Sequence, residues 1–361
     1  MIANTSPSVK YLCVGKLDAV GLMSSACAPM SLSEPSALAT QPVSSSYPSP
    51  GETSMPTSTV NPWPTDANPI VTPSPNEKVA VGEIVEISEP KDNLTYTYRI
   101  ERSENKEGFA LLSIYVLSQG TEIRLGDDYG TSELEATSDK YVVWTYRAFS
   151  DDKQLSVKAG LYAYMVETGK NVLVAAGWNV GLAKISGDWI LFTKWDAPPQ
   201  GSRPSNAIEP ADYTMPLLAY NIETGKTMTL THGLPIIQGR GIKSFYDVNS
   251  NRAAWIEYDV AAKNYAIRLN DLNSDNKQTL NVTLKQPLFL SVSSNLVVWR
   301  DTFWRGYSLG QNAVFTIPYA PKEWENVAGF MVTARDSSLL WSITNTPDGT
   351  ARYFEAHIIE K

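Results

Sequence analysis

The residues with types and spacing that could do chemistry are few. Gly306-Tyr307-Ser308-Leu309-Gly310 fits the nucleophile-elbow pattern, and Asp336 or Asp348 and then His357 follow in the order in which such a hydrolase supplies its acid and base. An elbow needs a strand-to-helix turn over a parallel sheet, whereas this pentapeptide stands among strand-like runs with no helical pattern after it. It reads as part of a loop between strands. Asp271-Leu272-Asn273-Ser274-Asp275 begins like a calcium loop, but Asn276 stands where the turn needs glycine and Val282 where the bidentate glutamate belongs. A polar turn is the better account, as it is for Asp127-Asp128 and Asp151-Asp152. Two histidines, His232 and His357, and two cysteines, Cys13 and Cys27, exclude a zinc cluster and a disulfide framework. No catalytic residue, metal ligand or cofactor is therefore assigned from motifs.

The elements that would position a site come in distinct stretches. Thirty Lys and Arg against 38 Asp and Glu give a formal charge of −8, which argues against a nucleic-acid partner. Tyr11 to Met23 is mostly apolar behind Lys10, and Ser24-Ser25-Ala26 places small residues before Cys27. The order resembles a bacterial lipoprotein signal, with Ser24 where that family usually has Leu and with Lys16 and Asp18 interrupting the apolar run. The resemblance implies acylation at Cys27, and an unstructured N-terminus is the plainer alternative. Residues 28–77 hold 27 Ser, Thr or Pro among 50 and no Lys or Arg, the composition of a disordered tether. Residues 1–27 are thus read as a degenerate signal segment, 28–77 as a tether and 78–361 as the folded domain. No stretch approaches a spanning helix, so any membrane attachment is expected to be a lipid anchor.

From Lys78 onward the chain repeats. Tyr141-Val142-Val143-Trp144, then Leu161 to Val166, then Glu167-Thr168-Gly169-Lys170 recur as Trp189-Ile190-Leu191-Phe192, Leu217 to Ile222 and Glu223-Thr224-Gly225-Lys226. The anchors Trp144, Phe192, Trp255, Trp299 and Trp341 are separated by 48, 63, 44 and 42 residues. Short strands recurring at a period in the forties predict β-propeller blades, here six units at about 82–128, 130–178, 180–233, 238–284, 286–319 and 326–361. Val79-Ala80-Val81 with Ile84 to Ile87 either completes the last blade or starts the first.

The repeat, with its Glu-Thr-Gly-Lys hairpins and Thr346-Pro347-Asp348-Gly349-Thr350 turn, resembles the TolB-like six-bladed propellers. That resemblance implies an all-β fold and a binding or scaffolding role at the cell envelope. Loops between second and third strands emerge on one face of a propeller, and three long ones are expected: Tyr146 to Ala159, Asp196 to Pro216 and Asp301 to Asn312. They carry Arg147, Phe149, Trp195, Arg203, Tyr213, Phe303, Trp304, Arg305 and Tyr307, the residue types that dominate interface energetics. The alternative is that these rings tuck their loops onto the rim. The sequence thus predicts a lipid-anchored or secreted monomeric module that binds a protein, peptide or glycan without catalysis. Its rival is a hydrolase or lyase with its site in the central funnel.

Overall fold

The computed structural model describes residues 78–90, 94–104, 110–149, 157–195, 214–235, 242–259, 262–284, 287–318, 330–344 and 350–360. The expected signal segment with Cys27 and the tether lie outside them. Two short strands come first, β1 (Val79–Val81) and β2 (Val85–Ile87). A three-stranded sheet follows, of β3 (Thr97–Glu104), β4 (Ala110–Ser118) and β5 (Thr121–Leu125). The second sheet is β6 (Gly130–Thr137), β7 (Tyr141–Ala148), β8 (Gly160–Met165) and β9 (Lys170–Ala176). The third is β10 (Val180–Ser186), β11 (Trp189–Lys194), β12 (Thr214–Asn221) and β13 (Thr227–Pro235). A single 3-10 turn at Ile242–Phe245 leads to β14 (Tyr246–Asn249), β15 (Arg252–Asp259), β16 (Asn264–Asp271) and β17 (Asn276–Leu284). The fifth sheet is β18 (Phe289–Val292), β19 (Leu296–Arg300), β20 (Trp304–Ser308) and β21 (Ala313–Thr316). The last has β22 (Phe330–Arg335), β23 (Ser338–Ile343) and β24 (Arg352–Glu360).

Each sheet is antiparallel, the first five with their strands in chain order, and each of these five packs on the sheet that follows it, the arrangement of a β-propeller. Strand alternation fixes two ends. First strands begin, and second strands lead to third ones, at what we call the loop end; the tight turns within each sheet lie at the hairpin end. The two Glu-Thr-Gly-Lys turns do what the sequence predicts, with Gly169 at φ 67° and Gly225 at φ 68°, each donating its N–H to a carbonyl four residues back at 2.9 Å.

β1 and β2 do not start the first sheet. Both pair with β24, in the registers Val79↔Glu360 and Val85↔Glu355, so the first described strands complete the last sheet. The 82–128 unit is corrected accordingly. Arg352 reinforces the seam, donating to both carboxylate oxygens of Glu86 at 2.8 and 2.6 Å.

Between sheets the contacts are apolar and aromatic. The repeated anchors Trp144, Phe192, Trp255, Trp299 and Trp341 are all buried. Within the second sheet Trp144 stacks on its cross-strand partner Tyr162 at 4.8 Å, and Trp304 meets Phe289 at 5.6 Å and Phe330 at 6.2 Å, bridging the fifth and sixth sheets. Gly306 has no room for a side chain, because the Phe315 ring of the adjacent strand lies over its Cα. The inner edge strands have no ladder in common and are joined by side chains instead. Ala183 N donates to Glu135 Oε2 at 3.1 Å, Val292 N to Asp247 Oδ2 at 2.9 Å and Ala334 N to Ser291 Oγ at 3.2 Å. Lys184 reaches Asp247 at 3.1 Å, Lys243 reaches Glu135 at 2.8 Å, and the Tyr246 hydroxyl donates to the Leu182 carbonyl. A bulge between Gly181 and Lys184, with Leu182 at φ 55°, turns the Leu182 and Ala183 backbone groups sideways to meet these partners.

Glu257 joins the third and fourth sheets, accepting from Thr231 Oγ1 at 2.7 Å, Trp255 Nε1 at 3.2 Å and Arg268 Nε at 3.0 Å. Burial pushes its carboxyl up, but these bonds outweigh it and hold the group below the usual carboxylate range. A lowered folded-state pKa means stability present above the unfolded-state pKa and lost as pH falls through the folded-state value. Glu257→Gln is expected to cost about 1–3 kcal/mol at neutral pH, and urea titrations should show the gap to wild type narrowing once the pH drops below the carboxylate range. A gap independent of pH would contradict the assignment. Gly306→Ala should cost about 1–3 kcal/mol through overpacking against Phe315, whereas Ser308→Ala should change the melting transition little.

Candidate functional site

The loop end carries the most exposed rings of the described residues. Tyr129, in the connector from β5 to β6, is 64% exposed, and Trp178, in the connector from β9 to β10, is 60% exposed. Phe149, just after β7, is 42% exposed. All three follow from strand direction: fourth-to-first connectors and second-to-third loops emerge at the same end, and the second and third sheets are neighbours.

Hydrogen bonds hold these segments in place. Phe149 N donates to Tyr129 O at 3.0 Å, Gly177 N to Ala159 O at 2.9 Å, and Trp195 N to Asn179 O at 3.0 Å. The Asp127 carboxylate accepts from Tyr129 N at 2.9 Å and from the buried Tyr146 hydroxyl. Burial, and then the bond to Asp127, push that phenol well above its ordinary pKa, so it stays a donor at every physiological pH. Asp127 thereby fixes the Tyr129 connector to the core. Beside Tyr129 and Phe149 the arginines are paired: Arg124 with Asp128 next to Tyr129, and Arg147 with Glu133 at 3.3 Å near Phe149. Such an end can stack and pack against a ligand.

The residues singled out from sequence separate into groups. Phe149 is at the loop end and exposed, and Arg147 is there in its ion pair with Glu133. Trp195 is at that end too, partly buried against the core. Arg203 and Tyr213 lie outside the described residues. The expected Asp301–Asn312 extension is a correction: it is no extended loop, because Trp304–Ser308 is the third strand of the fifth sheet and pairs with β19 from Arg300↔Trp304 onward. Its second-to-third connection is a tight turn in which Phe303 N donates to Asp301 Oδ1 at 3.1 Å. Trp304 is fully buried, with Phe303, Arg305 and Tyr307 half-buried. The Tyr307 hydroxyl donates to Asn312 within the hairpin. Trp304 is therefore a core residue and not a surface one.

Tyr129 and Trp178 escape a reading based on loop length, because their connectors are short. The signal available was the matching pattern Gly126-Asp127-Asp128-Tyr129-Gly130 and Gly177-Trp178-Asn179-Val180-Gly181, each placing an aromatic residue just before a first strand.

The remaining motifs are structural. The elbow glycine Gly306 packs under Phe315, and Ser308 Oγ accepts from Gln311 N at 3.3 Å in the hairpin. His357 lies in β24, in a different sheet, and Asp348 is outside the described residues. Asp271 accepts from Asn273 N and Ser274 N, both at 3.0 Å, and these bonds lower its pKa, the Ser274 bond most. The calcium-like segment is a hairpin turn. Among the described residues no group of three or more His, Cys, Asp or Glu is placed to hold a metal ion.

No family model and no curated protein matches the chain. Solved structures with similar strand arrangements include the acylaminoacyl peptidase of Pyrococcus horikoshii, 12% identical at a TM-score of 0.45, matching 76% of this chain and 46% of that one. An oligogalacturonate lyase from Vibrio parahaemolyticus is 10% identical at a TM-score of 0.42, over 78% and 98% of the two chains. TolB from Acinetobacter baumannii is 13% identical at a TM-score of 0.34, over 72% and 65%. This chain thus spans about half the length of the peptidase and about two thirds of that TolB.

Proposed function

We propose that the chain forms a six-bladed propeller that serves as a non-catalytic binding module at the cell envelope, carried on the Ser/Thr/Pro-rich segment and, through Cys27, on a lipid. The observation that carries the reading is the set of exposed rings at the loop end, Tyr129, Phe149 and Trp178, on connectors bonded to the core. Large rings held rigid in the free protein lose little entropy when a partner covers them. Topology adds support: Val79 pairs with Glu360 at the hairpin end, so a tether joined at Lys78 leaves from the end opposite the rings. A module mounted that way presents its rings away from its support. No helix of the described residues is long and apolar enough to cross a membrane, and the proposed anchor does not need one.

The rival enzyme reading looks to carboxylates on the inner strands. On the described first strands of the second to sixth sheets these are Glu133, Glu135 and Asp247: Glu133 pairs with Arg147, and Glu135 and Asp247 each accept from a lysine and from a backbone N–H of the next sheet, which favours a structural role.

The test uses the full chain with isolated cell-envelope material, comparing wild type with the Tyr129→Ala/Trp178→Ala double variant. Wild type is expected to co-sediment and the double variant to stay soluble, with equal melting temperatures and no new low-mass products in the supernatant by mass spectrometry. Products released by wild type would favour the enzyme, and co-sedimentation unchanged in the double variant would remove the loop end as the binding surface.

A further inference from the structure

Resting on the binding-module reading, we propose that the ligand is an uncharged glycan, stacked on Tyr129, Phe149 and Trp178. The argument is about what surrounds the rings. A protein partner requires a contiguous apolar centre depleted in charge, with polar groups confined to the rim. Here each ring on the second sheet stands beside an ion pair instead: Arg124–Asp128 adjoins Tyr129, and Arg147–Glu133 adjoins Phe149. Covering both rings with a flat protein surface would strip water from four charged side chains whose mutual attraction only partly offsets that loss. A sugar ring has the opposite character, with apolar C–H faces of one ring's width and hydroxyls around its edge. It can lie on an aromatic face while its hydroxyls bond to the flanking carboxylates and guanidinium groups, which keep their partners.

Charge narrows the class further. Arg124 and Arg147, the arginines beside Tyr129 and Phe149, are already paired with carboxylates, and the chain as a whole carries −8. A polyanion would approach against that field. Rigidity fits as well, since the backbone bonds at Tyr129, Gly177 and Trp195 fix the connectors before any ligand arrives.

The experiment is affinity electrophoresis of the full chain through gels containing xylan, galactomannan or a soluble β-1,4-glucan, with polygalacturonate as the acidic counterpart. Tryptophan fluorescence titrations with the same polymers accompany it. Wild type should be retarded by at least one neutral polymer and not by polygalacturonate. Trp178→Ala and Tyr129→Ala should each weaken binding about tenfold, and Trp178→Phe, which keeps a ring face, should bind more tightly than Trp178→Ala. The inference is overturned if no neutral polymer retards the protein, if polygalacturonate alone does, or if the Ala variants run as wild type. An envelope protein retained through the same rings, with every glycan negative, would overturn the glycan and leave the binding module standing. Loss of both would end both readings.

Discussion

The bond between neighbouring inner strands is the constraint on which the rest of the molecule depends. Each sheet has an inner edge with N–H and C=O groups unused by its own ladder, and these edges face the centre where water competes for them. Glu135, Asp247 and Ser291 answer by accepting a backbone N–H from the next sheet, and Lys184, Lys243 and Tyr246 add bonds between the second, third and fourth sheets. Side chain to backbone is the right chemistry for this junction. It satisfies a polar group that would otherwise be costly, and it fixes the angular step from one sheet to the next more narrowly than apolar packing does. These polar residues on the inner strands are thereby committed to joining one sheet to the next.

The legible part of this architecture was the part written by period and alternation. The tryptophan anchors and the Glu-Thr-Gly-Lys hairpins gave strand identity and the repeat, because β-branched and aromatic residues at alternate positions have one stable way to lie and Gly169 and Gly225 have few. Loop length was a poorer guide. Asp301–Asn312 looked long only because Trp304–Ser308, with a glycine and polar residues in it, does not alternate like a strand. Its strand character comes from Trp304 and Phe315 packing across sheets, which local sequence cannot announce. Tyr129 and Trp178 were missed for the converse reason: short connectors draw no attention, and their exposure depends on strand direction and on Asp127 pinning the backbone. Closure was left open between two choices, and only the pairing of β1 and β2 with β24 decides it, a contact between residues more than 250 positions apart.

The two ends of the molecule are built from different materials. Hairpin turns are short and polar, with Gly169, Gly225, Asp275 and Asn312 all at positive φ, so that end presents backbone and charged or small polar side chains, with no exposed ring among the described residues. The opposite end receives every connection that can grow without disturbing a ladder. A propeller can therefore acquire a recognition surface by changing connectors while its inner bonds stay as they are, and rings placed on those connectors inherit the rigidity of the sheets beneath them.

The closing seam has a mechanical consequence. Because β1 runs antiparallel to β24 and begins at the hairpin end, a pull on Lys78 along the strand axis loads the β1 and β2 hydrogen bonds and the Arg352–Glu86 fork in shear, together rather than one after another. Strands loaded in that direction resist far larger forces than strands peeled apart bond by bond, and survival under load is then set by the rate of seam rupture. A domain pulled from its first strand would thus carry the strain across the seam between its first and last strands, with the far end undisturbed until that seam fails.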